Sequence, residues 1–300
     1  MSSVNPPIFI VGMPRSGTTL LSNLLNASEE IYFPQETHFF SQLDKYKKNK
    51  SKLKNSFNNF YFNKNEIYFK SWNLDSQKID GLNSYNEKEL FEDLICLLQK
   101  QNKKQFESWG EKTPIHFVYI NEILKIYPKA KFVHIIRDPR DVFISMIASS
   151  WVKIFPFEEK ISQYKISCQI HLSTHENICS VKYEDLVKEP EKNLKKIFSF
   201  TNLNYTDQIL QNFNKDENLN FSEKFEPWKK NNKNSIDAKS MFKWKKKVDR
   251  PLNYYISNKL KTEILQLNYE SLSNKVNFKY ISFNFKTALG NIIIRFKKRL

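Results

Sequence analysis

The stretch Gly12-Met-Pro-Arg-Ser-Gly17-Thr18-Thr19 sets two glycines with four residues between them and follows them with two threonines. Backbone N–H groups in such a turn converge on an anion, and the N-terminus of a following helix adds positive potential. A chance pair of glycines at a turn is the bland alternative. It is weakened by the scarcity of glycine, which occurs only five times in 300 residues. A nucleoside triphosphatase places a lysine directly after the second glycine. Here Thr18 stands in that position, and the cation has moved forward to Arg15. Without that lysine, and without a clear acidic strand end for Mg²⁺, ATP or GTP hydrolysis gives way to binding of a different phosphorylated nucleotide.

The elements that must hold this loop are legible around it. Ile8-Phe9-Ile10-Val11 is a continuous apolar run of the kind found in central parallel strands, and leucines 20, 21, 24 and 25 give residues 18–26 a helical period. Asn86 is placed to cap a helix over 87–100, and Pro114 to Tyr127 reads as another amphipathic helix. Lys131 to Ile136 is a second strand, broken at Arg137-Asp-Pro-Arg140 before a helix over 142–150. Ile178 to Tyr183 is a third strand, and Pro190 opens a helix reaching Phe200. A further helix is expected near 253–269. Strands alternating with helices predict an α/β fold, three layers with a central parallel sheet. Residues 41–86 mix Lys, Asn, Phe and Tyr without a firm period and read as an insertion into one domain spanning 1–300, with a basic extension over 271–300.

Composition narrows the function classes. The chain is 40% hydrophobic, enough for a large core, with a mean hydropathy of -0.60 and a formal net charge of +16. That charge predicts an anionic partner, which nucleic acid, a membrane surface or a phosphorylated cofactor would satisfy. The apolar runs are far shorter than the ~20 residues of a membrane-spanning helix, and the N-terminal run is too brief for an export signal, so a cytoplasmic location is expected. Cys96, Cys168 and Cys179 are widely spaced among apolar residues and read as buried thiols rather than disulfides or metal ligands.

Pro14-Arg-Ser-Gly-Thr-Thr19 after a hydrophobic strand resembles the first signature of the sulfotransferases that use 3′-phosphoadenosine 5′-phosphosulfate (PAPS). The resemblance implies a P-loop sulfotransferase fold in which Arg15, Ser16, Gly17, Thr18 and Thr19 grip the 5′-phosphosulfate. Arg137-Asp-Pro-Arg-Asp-Val-Phe-Ile-Ser145 is similar to the second signature, whose strand-end arginine and helical serine, here Arg137 and Ser145, hold the 3′-phosphate. A phosphate dianion suits a forked cation and a hydroxyl arriving from one direction. Lysine is the default cation of this chain, yet every arginine before position 250 (Arg15, Arg137 and Arg140) lies in one of the two signatures. A surface ion pair between Arg137 and Asp138, capping a helix, is the structural alternative; it suits Asp138 and Arg140 but explains neither the spacing to Ser145 nor the pairing with the first loop. Val181-Lys-Tyr-Glu-Asp-Leu186 resembles a third family segment in which Tyr183 contacts the nucleotide or simply fills the core. Lys243-Trp244 is similar to the late segment that closes over the cofactor, with Lys243 as the contact.

Catalysis follows from the same resemblance. Gln35-Glu-Thr-His38 looks like the segment of tyrosylprotein sulfotransferases that supplies a glutamate base, which implies Glu36 as general base, with a capping or salt-bridging carboxylate as the alternative. Glu111-Lys-Thr-Pro-Ile-His116 resembles a segment of bacterial and tyrosylprotein members in which a lysine faces the sulfate, so Lys112 joins Arg15 at the leaving oxygen. His38 and His116 are candidate acceptor contacts, His116 also a candidate base, and each has a structural alternative. His134 reads as structural, and His171 and His175 show no partner. The implied reaction is in-line sulfuryl transfer from PAPS to a hydroxyl or amine on a glycan, peptide tyrosine, lipid or metabolite, without a metal. A small-molecule or nucleotide kinase is the second reading. A module binding nucleic acid or an anionic membrane through basic clusters at 229–233, 243–247 and 295–300 is the third, and no nucleic-acid motif accompanies those clusters.

Overall fold

The computed structural model describes residues 5–28, 30–41, 43, 86–101, 108–149, 156–215, 236, 238–246 and 250–272. The expected insertion, apart from its two ends, and the basic clusters at 229–233 and 295–300 lie outside these residues. The described strands are β1 (Ile8–Gly12), β2 (Ile31–Tyr32), β3 (Ser108–Glu111), β4 (Lys131–Ile136) and β5 (Ile178–Lys182). They form one sheet in the order β2-β3-β1-β4-β5, with every pair parallel.

Helices cover both faces of the sheet: α1 (Thr18–Asn26), α2 (Glu87–Gln101), α3 (Ile120–Ile126), α4 (Pro139–Ala148), α5 (Phe157–Leu172), α6 (Tyr183–Lys188), α7 (Pro190–Thr201), α8 (Gln208–Asn212), α9 (Arg250–Lys259) and α10 (Lys261–Gln266). The two-residue period of β1 sorts its side chains between them. Ile8 and Ile10 pack with Leu21 and Leu24 of α1 and Leu194 and Phe198 of α7. Phe9 and Val11 face the other way, toward Phe91 of α2, Val142 of α4 and Tyr164 of α5. The result is the expected three-layer α/β/α architecture.

The order of strands places the site. From β1 the chain moves outward to β2, returns through β3, then crosses to β4 and β5 on the opposite side of β1. The loops that leave the carboxyl ends of β3, β1 and β4 therefore gather at the switch point, where open parallel sheets bind ligands. The approach of β1 to β4 is close: a Cβ on Gly12, whose φ is 151°, would stand 2.2 Å from the Ile135 carbonyl oxygen. Only glycine fits there.

Several local expectations hold. The Asn86 side chain accepts from the Glu89 N–H at 3.0 Å, capping α2. Pro190 opens α7, which Asn202 closes with a φ of 59°. Others are corrected. β2 and β3 were not expected, because two and four residues with the compositions Ile-Tyr and Ser-Trp-Gly-Glu carry no strand pattern. α5 has no counterpart among the expected elements, although its buried Phe157, Ile161, Tyr164 and Cys168 recur at helical spacing. Pro114–Tyr119 is a 3₁₀ turn and α-helix begins only at Ile120, since hydrophobic spacing does not distinguish the two pitches over so few residues. The helix expected near 253–269 is two, α9 and α10.

The Asp138–Arg140 pair is not at the surface. Both side chains are 0% exposed and bonded at 2.7 Å, and Asp138 also accepts from the Arg140 N–H to cap α4. The Arg140 guanidinium lies 3.6 Å from the Trp244 ring centroid and donates to the Glu270 carbonyl at 2.8 Å. It thereby ties two later segments to the start of α4. Breaking such a pair by removing one partner costs about 3–5 kcal/mol, because a buried charge is left uncompensated.

His134 is structural, as expected. Its Nε2 lies 2.8 Å from Ser167 Oγ on α5, and the ring of His171 is 6.2 Å away, which supplies the neighbour that the sequence did not reveal. His175 accepts from the Asn177 N–H at 3.1 Å. Burial, then the nearby His171, push the His134 imidazole down to about 3. The unfolded chain therefore takes up a proton that the folded chain refuses as pH falls from 6.5 toward 3, and stability drops by up to about 1.4 kcal/mol per pH unit from this group. The variant His134→Gln is expected to flatten the fall in urea-unfolding free energy between pH 6.5 and pH 4.5. An unchanged slope would remove this assignment.

Candidate active site

The glycine loop is built by its own backbone. β1 ends at Gly12, the Ser16 N–H donates to the Met13 carbonyl at 3.0 Å, and Arg15 and Gly17 turn the chain with φ values of 73° and 107°. A left-handed arginine is strained by about 1–2 kcal/mol, a cost often concentrated at functional sites. α1 then starts at Thr18 with no side-chain cap and no acidic residue in its first turn. Its leading N–H groups and its dipole face the loop uncompensated by a side chain, as an anion requires.

Loops far apart in sequence close around this turn. Arg15 Nε donates to Ser145 Oγ at 3.0 Å, which joins the two signatures directly. Arg137 Nη1 donates to the Arg15 carbonyl at 3.3 Å, and its Nη2 donates to Asp141 Oδ2 at 3.3 Å and to the Ser240 carbonyl. The Arg137 guanidinium lies 4.4 Å from the ring centroid of Tyr183. Burial pushes the Tyr183 phenol up, and burial likewise raises the Asp141 carboxyl against the pull of Arg137 and the Trp244 N–H. Ser16 Oγ and Arg137 Nε are buried and have no partner among the described residues. A hydroxyl and a guanidinium N–H left unsatisfied beside a bare helix N-terminus fit a phosphorylated ligand, since buried donors are otherwise paired.

A second group sits at the end of the neighbouring strand. Lys112, immediately after β3, is 0% exposed, and its Nζ donates to Glu36 Oε1 at 2.7 Å. Glu36 is 16% exposed, and its other oxygen lies 3.4 Å from His38 Nε2. Because β3 pairs with β1, this ion pair and the glycine loop share one carboxyl edge. A partly exposed carboxylate can take a proton, and a lysine held at the same place can meet negative charge.

The expected residues gather along this edge. His116 is 0% exposed, with Nδ1 2.8 Å from Glu111 Oε2 and the rings of His116 and Phe40 edge to face. Lys243 is exposed, and it is the next residue, Trp244, that docks, through its N–H to Asp141 Oδ1 at 2.9 Å. The sequence reading missed Asp141, whose spacing of four from Arg137 was an available signal, and Ser240, which had none.

The fold and the loop define a parallel α/β protein with an uncapped helix N-terminus at the switch point of its sheet. A model of the Sulfotransferase family matches residues 6–207, and the chain belongs to that family. Relatives include a putative protein-tyrosine sulfotransferase of Caenorhabditis briggsae, 24% identical over 265 residues that make up 81% of this chain and 82% of the relative. An uncharacterized protein of Aquifex aeolicus is 24% identical over 216 residues, 68% of this chain but only 26% of its own length. The match likewise spans about half, 52%, of protein-tyrosine sulfotransferase A of Caenorhabditis elegans, 26% identical over 69% of this chain. Among solved structures, the sulfotransferase domain of the curacin biosynthetic pathway superposes with a TM-score of 0.59 at 20% identity, covering 90% of this chain and all of that domain.

The cradle leaves no room for a side chain at its second glycine. A Cβ on Gly17 would meet the Tyr183 ring at 2.5 Å, and that ring supports Arg137. The variant Gly17→Ala is expected to lose about 1–3 kcal/mol of stability and at least about tenfold in affinity for 3′-phosphoadenosine 5′-phosphate (PAP), read by urea unfolding and calorimetry.

Proposed function

We propose that this protein transfers a sulfuryl group from PAPS to a hydroxyl acceptor, with Glu36 as general base. The observation that carries the reading is the 3.0 Å bond from Arg15 to Ser145, which brings the two phosphate signatures of the family into one cradle. Ser16, Thr18, Thr19 and the N–H groups of the first turn of α1 would hold the 5′ end, and Arg137 and Ser145 the 3′-phosphate. When bound, PAPS supplies an activated sulfuryl group on a phosphate leaving group. Glu36 takes the proton of the acceptor as its oxygen bonds to sulfur, and Lys112 and Arg15 meet the charge that collects on the departing oxygen. The 2.7 Å bond between Lys112 and Glu36 links the two events, because protonation of Glu36 releases the ammonium group toward the leaving oxygen.

The acceptor class follows the relatives in outline only. Several are named for protein tyrosine, and one from Mycobacterium tuberculosis for an omega-hydroxy menaquinone. Their common element is a hydroxyl, which is what a carboxylate base serves. Two variants, Arg15→Ala and Arg137→Ala, are expected to weaken PAP binding at least about tenfold in calorimetry through loss of charge-assisted bonds. Glu36→Gln is expected to keep PAP affinity within about twofold while sulfuryl transfer from ³⁵S-labelled PAPS to a cell extract falls about 10²- to 10⁴-fold. PAP binding unaltered by both arginine variants, or Mg²⁺-dependent ATP turnover, would overturn the reading.

A further inference from the structure

Glu111 ends β3 with its side chain 0% exposed, and hydrogen-bond donors converge on it from two loops. Its Oε1 accepts from the Thr37 N–H at 3.3 Å, the Thr37 hydroxyl at 2.8 Å and the Thr113 hydroxyl at 2.5 Å. Its Oε2 accepts from the Thr113 N–H at 3.1 Å and pairs with His116 Nδ1 at 2.8 Å. Thr37 directly follows Glu36, and Thr113 directly follows Lys112. A further bond, from the His38 N–H to Thr113 Oγ1 at 3.0 Å, closes the same junction, where His38 bends the chain with a φ of 53°.

We propose that Glu111 is the positioning residue for the Glu36–Lys112 pair, clamping the residue after the base to the residue after the lysine so that the two functional side chains meet. This rests on the reading of Glu36 as base. Glu111 itself is enclosed and cannot reach an acceptor. What it holds is one turn of each loop, and general-base geometry tolerates displacements of only about 0.5 Å. The clamp depends on charge. Burial raises the Glu111 carboxyl, but the charge of His116 and hydrogen bonds from His116, Thr113 and Thr37 outweigh it and hold the group down at about 2. It is therefore an acceptor at both oxygens throughout the working pH range. A glutamine of the same size can keep its oxygen toward the Thr113 N–H and His116 only by turning its NH₂ toward the Thr37 N–H, which sets donor against donor on that side and loses the charge. The role also accounts for His116, whose ring braces the far oxygen of the clamp.

The test compares Glu111→Gln with the parent by three measurements: PAP affinity by calorimetry, the exchange-protected ammonium resonance of Lys112 by ¹⁵N-resolved NMR, and single-turnover transfer from ³⁵S-labelled PAPS to the extract. The resonance is assigned by its loss in Lys112→Met. Loss or marked broadening of the Lys112 signal is expected, with a transfer rate lower by about 10- to 100-fold and PAP affinity within about twofold, because the phosphate cradle is untouched. A folded Glu111→Gln protein that keeps both the Lys112 signal and the parental rate would overturn the proposal, as would a fall in PAP affinity in step with the rate, which would signal general damage to the fold. If Glu111→Gln does not fold, Thr113→Val decides. It removes one donor and the His38 contact, and is expected to weaken the Lys112 signal and slow transfer at least about threefold; no change in either overturns the clamp. The Lys112 resonance answers for Glu111 whatever the base is, whereas Glu36→Gln retaining full transfer would sink the base assignment alone.

Discussion

The Ile135 carbonyl oxygen stands 2.2 Å from the point where a side chain on Gly12 would begin, and the rest of the site depends on that absence. Because β1 can lie directly against β4 to its last residue, the loop that follows β1 turns beside the loop that follows β4. Arg15 then reaches Ser145, and Arg137 reaches the Arg15 backbone. A larger residue at Gly12 would push the two strand ends apart at the place where a phosphate must be gripped from both sides.

Around this junction the buried charges divide into two sorts. Each guanidinium nitrogen of Arg140 has a partner within the protein, on Asp138 or the Glu270 carbonyl, and the Trp244 ring lies against its face. Its guanidinium holds segments together. Arg137 Nε is unpartnered among the described residues, as is Ser16 Oγ. Two arginines of one signature thus differ in whether every guanidinium nitrogen has a partner. The Lys112–Glu36 pair is intermediate, a bonded pair whose carboxylate is 16% exposed.

The glycine loop, its strand and helix, the second signature and the parallel α/β class were legible because each is local. They rest on spacing within a dozen residues, on apolar periodicity and on the identities of Arg15, Arg137 and Ser145. The two edge-side strands were not, since β2 and β3 are strands only through pairing with each other and with β1. The surroundings of His116 were not legible for a related reason: the sequence left an acceptor contact, a base and a structural histidine open, and only the fold shows Glu111 and Phe40 packed against it. A capping ion pair at Asp138 was legible, but the expected partner was Arg137 at the surface; the buried pairing with Arg140 depends on Trp244 and the segment at Glu270, more than a hundred residues away.

What the sequence by itself determined is the family and the frame of the site. A bare helix N-terminus after two glycines is suited to an anion, and a model of the Sulfotransferase family matches the stretch that holds the two signatures. Tertiary structure decided which side chains remain free to act. Arg137 meeting the Arg15 backbone, Lys112 meeting Glu36 and Glu111 meeting Thr37 are contacts between segments 70 residues or more apart. Sequence spacing does not encode those contacts, because they form only when the sheet brings its carboxyl ends together.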